Sequence, residues 1–337
     1  MTRKVRFGVC LFGERPLPEI VSRVKLAEEL GYDSVWIADT QMLCRELYVT
    51  LTACALNTSR IKLGAGVTAP YTRHASVTAS AFATLNELAE GRLLLGVSTG
   101  NSLVRTIGRR PARIKELEDY VVRLKGLLAN RPVEFEGDAK GRITWMDKAS
   151  GIPIYVAGTG PKLVRAAARM ADGVIIMVGS DPALLRHGLG TIEAATREAG
   201  KSGDKMDVIC WVPFSISREG ALAREHVSKH VAGLLRRVSL ERFEEEDWET
   251  IRRIRERSSP YPHGQRSSVG QGQVPKKLID MLALAGTPEE IRGRVKGMTD
   301  VAGFSTIVLN TQVSGDKLPS LESALRLFAD GVMAHVA

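Results

Sequence analysis

A short segment between a β-rich run and a helix, Ala157-Gly158-Thr159-Gly160-Pro161-Lys162, has the residue types of a phosphate site. Glycines let the backbone approach an anion closely, and the amides at the start of a helix are free to donate hydrogen bonds to it. Pro161 is favoured in the first turn of a helix, and Lys162 adds a positive charge nearby. An ordinary connecting turn explains the same residues equally well, so both interpretations stay open.

Three other apolar runs end in residues that could contact a ligand. Asp39 follows the second run, where its carboxylate could orient a substrate, transfer a proton or cap the next helix. Ser98-Thr99-Gly100-Asn101-Ser102 offers hydroxyls and backbone amides, or forms a tight turn. The stretch from Gly64 to His74 ends a strand in glycines, a β-branched residue and an Arg-His pair. This stretch is either an ordinary connection or a backbone shaped to lie against a flat ligand.

The sequence is poor in other catalytic groups. It has no His/Cys/Asp metal cluster, no serine elbow and no pair of carboxylates at neighbouring strand ends, so we predict no metal. Of the six histidines, only His74 lies close to a predicted strand end. A site built from glycines, small polar groups and backbone suits a large flat cofactor that carries the chemistry itself.

The elements that must position these residues alternate between short β-rich runs and helical patterns. Eight such βα units in a chain of this length predict a TIM (β/α)8 barrel. A doubly wound open sheet is the alternative, but no GxGxxG fingerprint follows the first strand. The eight predicted strands cover residues 5–12, 34–38, 61–67, 92–97, 153–157, 173–178, 207–216 and 304–309.

Additional segments interrupt this alternation. A hairpin is predicted over Pro132 to Met146, with strands at 133–136 and 142–145. We predict one barrel domain over residues 1–337, with an insertion at 218–273 between strands seven and eight. This insertion contains a long polar helical region from Glu219 to Glu256, followed by a Gly/Ser/Pro/Gln-rich loop, Ser258 to Gln273.

Active sites of such barrels lie at the carboxyl ends of the strands, and this rule selects the candidate residues. We predict four residues that act in the chemistry: Asp39, Asn101, Cys10 and His74. We predict a further set that holds a cofactor: Gly66, Val67, Thr99, Gly100, Gly158, Thr159, Gly160, Val178 and Gly179.

Composition and charge narrow the function classes. The formal net charge is +9, but the basic residues are spread thinly, and the densest group, Arg252 to Arg257, lies beside acidic residues. We therefore predict no nucleic-acid partner, although the excess charge could attract an anionic cofactor or substrate. No apolar run approaches the length of a membrane span, and the N-terminal apolar run predicts a strand, so a cytoplasmic location is expected.

Three segments together resemble the bacterial luciferase-like superfamily of flavin- and deazaflavin-dependent oxidoreductases. They are GVTAPYTRHASVTASAFATLNELAEGRLLLGVSTGNS, GIPIYVAGTGPKLVRAAARMADGVII and AGTPEEIRGRVKGM, in the family's order and spacing. The TRH-containing version resembles the branch that includes methylenetetrahydromethanopterin reductase, much of which uses coenzyme F-420 in place of FMN. The similarity weakens over Arg218 to Gln273.

The resemblance implies a cofactor ring that lies across the barrel mouth, against a non-prolyl cis peptide at Gly66-Val67. It also implies that the cofactor's phosphate binds around Gly158, Thr159 and Gly160, beside Val178 and Gly179, and that the protein is a homodimer. Where the methanopterin reductases have acidic groups at the ends of strands one and four, this chain has Cys10 and Asn101. Thr40 follows Asp39 where sugar-phosphate dehydrogenases of the family have a His, so neither substrate carries over.

Three functions follow from this pattern. The first is an F-420-dependent oxidoreductase that passes a hydride between the deazaflavin and a small-molecule substrate. The second is an FMN-dependent two-component monooxygenase, which would need a separate flavin reductase as partner and a closable site, with Ser258 to Gln273 as its lid. The third is a non-catalytic cofactor-binding barrel.

Overall fold

The structure is a computed structural model, and it describes residues 5–158, 160–201, 206–257, 274–311 and 320–336. The predictions for Thr159 and for the lid loop Ser258 to Gln273 lie outside the described residues.

Eleven strands are present among the described residues, and nine of them form one sheet. The order in this sheet is β10-β9-β11-β1-β2-β3-β4-β7-β8, and an additional pairing of β9 with β8 closes it. β2, β4, β8 and β11 are buried at every position, as expected for parallel strands covered on both faces. The strands are β1 Arg6–Leu11, β2 Ser34–Ile37, β3 Lys62–Thr68, β4 Leu93–Val97, β5 Val133–Glu134, β6 Lys140–Gly141, β7 Ile154–Ala157, β8 Gly173–Ile176, β9 Asp207–Ile216, β10 Leu284–Gly286 and β11 Thr306–Asn310.

The helices alternate with these strands, which makes the fold a TIM (β/α)8 barrel and confirms the predicted class. The helices are α1 Leu17–Glu29, α2 Leu47–Leu56, α3 Ala75–Ala89, α4 Ser102–Arg105, α5 Ile114–Leu128, α6 Pro161–Met170, α7 Pro182–Glu198, α8 Gly220–Leu235, α9 Glu245–Arg257, α10 Lys276–Leu282, α11 Pro288–Thr299, α12 Leu321–Phe328 and α13 Ala334–Val336.

The chain divides into two compact units, which are described separately. The first unit comprises Cys10–Ile175 and Ile192–Asp207, and it contains β2, β3, β4 and β7. The second unit comprises Met1–Val9, Ile176–Thr191 and Val208–Ala337. In the second unit, β10 and β11 both pair in parallel with β9.

Three details differ from the sequence predictions. β10 is an extra strand that sequence analysis missed, because three residues, Leu284–Gly286, are too few to show a periodic pattern. The hairpin has only two residues on each strand, and its second strand is Lys140–Gly141 rather than 142–145. The chain turns back early there because Gly137 adopts a left-handed conformation with φ 65°.

The predicted polar helical region is two helices with an apolar core. The inner face of α8 contributes Val227, Val231 and Leu235, which pack with Ile251 and Ile254 of α9. The apolar face of α9 is hard to recognise in the sequence, because most residues of this helix are charged and lie on its solvent-exposed side. The assignment of residues 218–273 as an insertion within a single domain stays a prediction.

Candidate active site

Asp39 follows β2 and is buried, with 3% of its surface exposed. Its carboxylate forms a close ion pair with the Arg73 guanidinium, which comes from the loop between β3 and α3. The alternative role as a helix cap is ruled out, because the N-cap of α2 is Glu46, whose side chain accepts a hydrogen bond from Val49 N at 2.9 Å.

Arg73 is held by two carboxylates and an aromatic ring. Its Nη2 donates a hydrogen bond to Glu46 Oε1 at 2.7 Å, and its guanidinium carbon lies 4.7 Å from the ring centre of Tyr48. Burial by itself would lower the pKa of Arg73, but the hydrogen bonds and charges of Asp39 and Glu46 raise it above its usual value. Arg73 therefore remains charged and fixes the orientation of the Asp39 carboxylate.

A chain of hydroxyl groups continues inward from Tyr48. The Tyr48 hydroxyl donates to Thr78 Oγ1 at 2.9 Å, and Thr78 Oγ1 lies 2.8 Å from the hydroxyl of Tyr120. Burial raises the pKa of Tyr48 to about 12 and also raises the pKa of Tyr120. Both phenols therefore stay neutral near neutral pH and act as hydrogen-bonding groups that hold the ring beneath Arg73.

The end of β3 carries the predicted bulge. The peptide bond Gly66-Val67 is cis, as the resemblance implied. Ala65 pairs with Leu95 and Thr68 with Val97, so Gly66 and Val67 together stand opposite Gly96 alone. Both bulged residues are half-buried, whereas the three residues before them are buried. The bulge therefore presents backbone at an open face.

Two further glycines make room for this bulge. A Cβ atom on Gly96 would clash with the carbonyl oxygen of Ala65 and would lie 2.7 Å from Val67 Cγ1. A Cβ atom on Gly64 would clash with the indole ring of Trp36, which packs against that strand. The two glycines are thus explained by packing behind the bulge.

The segment after β4 brings Thr99, Gly100 and Asn101 to the same edge of the sheet. The carbonyl of Thr99 accepts a hydrogen bond from Ala112 N at 2.8 Å, and Gly100 has φ 88°. Asn101 is the N-cap of α4, but its side chain makes no capping hydrogen bond. The side chain of Asn101 is half-buried, and its contact with a ligand stays a prediction.

The structure gives Cys10 and His74 surroundings that suit structural roles. Cys10 is 1% exposed, and burial, with smaller contributions from Cys44 and Glu14, raises the pKa of its thiol far above neutral pH. His74 is exposed, and its Nδ1 lies 2.7 Å from Ser76 Oγ at the N-cap of α3. The predicted catalytic role of each residue stays a prediction.

The glycine loop, which we define as Gly158 to Gly160, connects β7 to α6. The amide of Gly158 donates to the carbonyl of Ile175 at 3.0 Å, and a Cβ atom on Gly158 would clash with Leu163. Gly160 is the N-cap of α6 without a side-chain cap, and no heavy atom lies within 4 Å of where its Cβ would be. The first amides of α6 are therefore open to an anion.

Val178 and Gly179 belong to the second unit, and both are buried. Gly179 has φ 108°, and a Cβ atom on it would lie 2.6 Å from the carbonyl oxygen of Met281. Only glycine fits this position, for reasons of local packing. The prediction that these two residues bind a cofactor phosphate is not tested.

Four neighbouring strands of the first unit bring most of the predicted residues to one edge. β2 pairs with β3, β3 with β4 and β4 with β7, all in parallel. Their carboxyl ends carry Asp39, the bulge, Asn101 and the glycine loop. This edge is the candidate site, and the role of each residue in it is a proposal.

Sequence analysis did not assign a role to Arg73 as a partner of Asp39. Thirty-four residues separate the two in the chain, so only the parallel pairing of β2 with β3 brings them together. A usable signal was present, because Arg73 lies in the loop that follows β3, and in a barrel of this kind that loop is on the same edge as Asp39.

The site fits a flat cofactor with a phosphate. The half-exposed bulge offers a backbone surface, and Thr68 Oγ1 next to it is buried without a hydrogen-bond partner among the described residues. The open amides at the start of α6, which follows β7, offer an anion site. β7 is separated from β3 by β4 alone in the sheet. In the described ranges, no group of three His, Cys, Asp or Glu side chains could hold a metal ion, and no helix is long and apolar enough to cross a membrane.

A separate cavity of about 590 Å³ lies within the second unit. Its charged lining residues pair with one another or with adjacent residues: Asp280 with Arg294 at 2.9 Å, and Glu290 with Arg224 at 2.9 Å. None of the predicted site residues lines it. The cavity is therefore explained as a gap beside an ion-pair network.

The sequence matches the family described as luciferase-like monooxygenases over residues 5–305, and the chain belongs to that family. A 5,10-methylenetetrahydromethanopterin reductase of Methanolobus tindarius is 30% identical over 341 residues, which cover 97% of this chain and 99% of that protein. An F-420-dependent glucose-6-phosphate dehydrogenase of Microbacterium testaceum is 31% identical over 233 residues, which cover 64% of this chain and 69% of that protein.

The same similarity extends to a solved structure. The coenzyme F-420-dependent tetrahydromethanopterin reductase of Methanopyrus kandleri superposes with a TM-score of 0.83 and is 28% identical. The superposition covers 99% of this chain and 100% of the other. The family resemblance stated from the three sequence segments is thereby confirmed.

Proposed function

We propose that this protein is an oxidoreductase that uses coenzyme F-420 to transfer a hydride to or from a small organic substrate. The observation that carries the proposal is the edge formed by β2, β3, β4 and β7. It combines a half-exposed backbone bulge with an open helix start but has no metal cluster among the described residues. The similarity to a reductase and a dehydrogenase that are both named as F-420-dependent supports this choice of cofactor.

When bound, the deazaflavin supplies the carbon that donates or accepts the hydride. Gly66 and Val67 would support the ring, and Thr99 and Gly100 would contact its edge. The glycine loop would hold the phosphate through the backbone amides at the start of α6, and contact of Val178 and Gly179 with the cofactor stays a prediction. Because these contacts use backbone groups, they position the cofactor without competing side-chain chemistry.

Asp39 and Asn101 are the groups that we assign to the substrate. The Arg73 ion pair holds Asp39 in one orientation, so its carboxylate can accept a hydrogen bond from the substrate. The Asn101 amide can both donate and accept. For Cys10 and His74 we propose structural roles, because burial keeps the thiol neutral and the imidazole caps α3.

The second candidate is an FMN-dependent two-component monooxygenase, which the description of the matched family favours. It would require a separate flavin reductase as partner. A paired fluorescence titration with FMN and with F-420 distinguishes the two candidates, since the proposed function requires tight binding of F-420. Tight binding of FMN alone would overturn it in favour of the monooxygenase, and binding of neither would remove both.

The phosphate assignment is tested at Gly160, where a side chain fits. Gly160→Asp places a negative charge beside the bound phosphate, and we expect it to weaken cofactor binding at least ~10-fold by repulsion. Gly160→Asn is the matched control, because Asn and Asp cap a helix similarly but Asn is neutral. Equal affinities of the two variants would contradict the phosphate site. Gly158 is a poor choice for this test, because any side chain there clashes with Leu163.

We also propose that the protein is a homodimer in the cytoplasm. α2 contains no charged residue and α3 only Glu87, and they present an exposed apolar surface, the α2–α3 face, defined by Val49, Leu56, Val77 and Leu88. A second copy is the occupant that suits such an uncharged surface. None of the four cysteines, all of which lie in the described ranges, forms a disulfide bond, which is usual in a reducing compartment.

A further inference from the structure

The segment after β4 is strongly basic. We call Thr99 to Arg113 the arginine loop, since its fifteen residues contain four arginines and no acidic residue. The arginines are Arg105, Arg109, Arg110 and Arg113. The Arg252 to Arg257 group is denser, but it contains Glu256 and follows the acidic stretch Glu244 to Asp247, whereas the arginine loop has no carboxylate of its own.

The arginine loop is fixed at both ends and in its middle. Ala112 N donates to the carbonyl of Thr99 at 2.8 Å, which closes the loop, and Arg109 N donates to the carbonyl of Val104 at 3.0 Å. Leu103 and Val104 pack with Ala69 and Tyr71 from the loop after β3. The arginines are therefore carried by a defined backbone rather than by a free tail.

The aromatic ring of Tyr71 organises two of the guanidinium groups. The guanidinium carbons of Arg109 and Arg110 lie 5.4 Å and 5.6 Å from its ring centre, within the range of cation–π attraction. Arg110 is neutralised by Glu116 at 3.1 Å. Within the described ranges, neither Arg109 nor Arg113 forms an ion pair with a carboxylate, and both are exposed. Two positive charges are thus available to an outside anion.

The strand order places the arginine loop beside the glycine loop. β4 pairs in parallel with β7, with Val97 opposite Val156, so the two loops leave the same edge from neighbouring strands. Neighbouring strands are separated by about 4.8 Å. The arginine loop therefore begins at the strand end next to the glycine loop, and Arg109 and Arg110 then lie against Tyr71 from the loop after β3.

We propose that the arginine loop is a second anion subsite, which binds acidic groups of the cofactor through Arg109 and Arg113. The inference rests on the proposed function, because it requires the phosphate to lie at the glycine loop. Two acidic parts of F-420 have the required chemistry, its glutamate tail and its phosphate. The tail is favoured, because the open amides at the start of α6 already offer a site for the phosphate, whereas Arg109 and Arg113 are exposed on a separate loop.

The test is a fluorescence titration of the double variant Arg109→Gln/Arg113→Gln with two probes, F-420 and the same coenzyme without its glutamates. Each exposed charge contact contributes little, so the double variant should bind the tailed form ~10-fold more weakly than the wild-type protein does. The wild-type protein should lose affinity for the tailed form as salt is raised, and the double variant should lose less. Affinity for the tailless form should not change.

The matched control is Arg60→Gln/Arg131→Gln, which removes the same charge from two exposed arginines that precede β3 and follow α5. An equal loss of affinity in this control would attribute the effect to net charge and overturn the subsite. An equal loss for both probes in the test variant would support the subsite with the phosphate as its ligand. Unchanged affinity for both probes would overturn it, whereas a wild-type protein that binds neither probe overturns the proposed function itself.

Discussion

At the level of single residues, the site depends on one buried ion pair. The Asp39 side chain is 2% exposed, and Arg73 is the cation that compensates its charge. Glu46, at 47% exposure, holds the outer arm of Arg73 from the solvent side. The three residues form a carboxylate–guanidinium–carboxylate row. The inner contact, between Asp39 and Arg73, is buried, whereas the outer contact, between Arg73 and Glu46, is open to solvent on the Glu46 side. The inner contact should therefore dominate the energetics.

The first prediction compares the two ends of this row. Arg73→Gln leaves the Asp39 carboxylate buried without a cation, and we expect it to lower the free energy of unfolding by about 3 kcal/mol. Glu46→Gln removes an exposed charge and keeps an oxygen that can cap α2, so it should cost under about 1 kcal/mol. Urea denaturation measures both. Equal losses would show that Asp39 does not depend on Arg73.

At the level of elements, the geometry of the site depends on the contact between β3 and β4. Gly66 and Val67 bulge towards Gly96, so this position in β4 must have no side chain. In a barrel the packing around such a position is close, and an added methyl group has little space to move into.

The second prediction concerns this contact. Gly96→Ala should lower the free energy of unfolding by about 2–3 kcal/mol, because its Cβ would clash with Ala65 and Val67. Gly190→Ala in α7 is the control, since that glycine is exposed and has no heavy atom within 4 Å of its Cβ position. The control should gain about 0.5–1 kcal/mol from helix propensity. A neutral Gly96→Ala variant would show that β3 and β4 can separate freely.

The third prediction concerns the pH dependence of the arginine loop's anchor. Glu116, in α5, accepts hydrogen bonds from Arg110, Arg113 N and the Tyr71 hydroxyl, and these lower its pKa to about 2. A lowered pKa stabilises the folded state above the usual Glu value of about 4.3, and this stabilisation is lost as the pH falls towards 2. Protection of the loop amides from hydrogen exchange should therefore fall over that interval.

Two variants of α5 check this assignment. Glu116→Gln should show weaker protection of residues 105–113 at pH 5 and little further change on acidification, because no carboxylate is left to titrate. Glu118→Gln removes a carboxylate that pairs with Arg169 instead, and it should behave like the wild-type protein in this loop. A wild-type loop whose protection is constant between pH 5 and pH 2 would contradict the role of Glu116.

At the level of the whole molecule, the α2–α3 face determines the oligomeric state that we propose. Val49 and Leu56 are 59% and 66% exposed, which is unusual for side chains on a helix without charges. In a monomer this face would remain in contact with water, whereas a symmetric dimer would bury the α2–α3 face of both protomers in one interface.

The fourth prediction follows from that exposure. Leu56→Glu should convert the dimer to a monomer, because it would place a charge within the proposed apolar interface. Val122→Glu is the control, since Val122 is similarly exposed, at 62%, but lies on α5 outside this face. Analytical ultracentrifugation measures the mass. A wild-type monomer at micromolar concentration would refute the proposed homodimer.

Much of the fold was readable because its signals are local. Eight apolar strands and the helices after them follow from hydrophobic period, and the barrel follows from their alternation. The exceptions are short or shielded elements. β10 has only three residues, and the apolar faces of α8 and α9 are hidden among charged residues.

The candidate site was readable only in part. The positions of Asp39, Gly66, Val67, Asn101 and Gly158 at strand ends follow from the sequence, because parallel strands place their carboxyl ends on one edge. The sequence could not show that Arg73 forms an ion pair with Asp39, or that Cys10 is fully enclosed. Each depends on side chains that are distant in the chain.

The sequence by itself determined the class of fold, the family and the edge that carries the candidate site, since these follow from periodic patterns and contiguous motifs. Only the tertiary structure decided that Asp39 is paired with Arg73, that Gly96 faces the bulge and that the arginine loop and the glycine loop leave neighbouring strands. The physical reason is strand pairing. It joins residues tens of positions apart, and no local pattern records which side chains then come within contact distance.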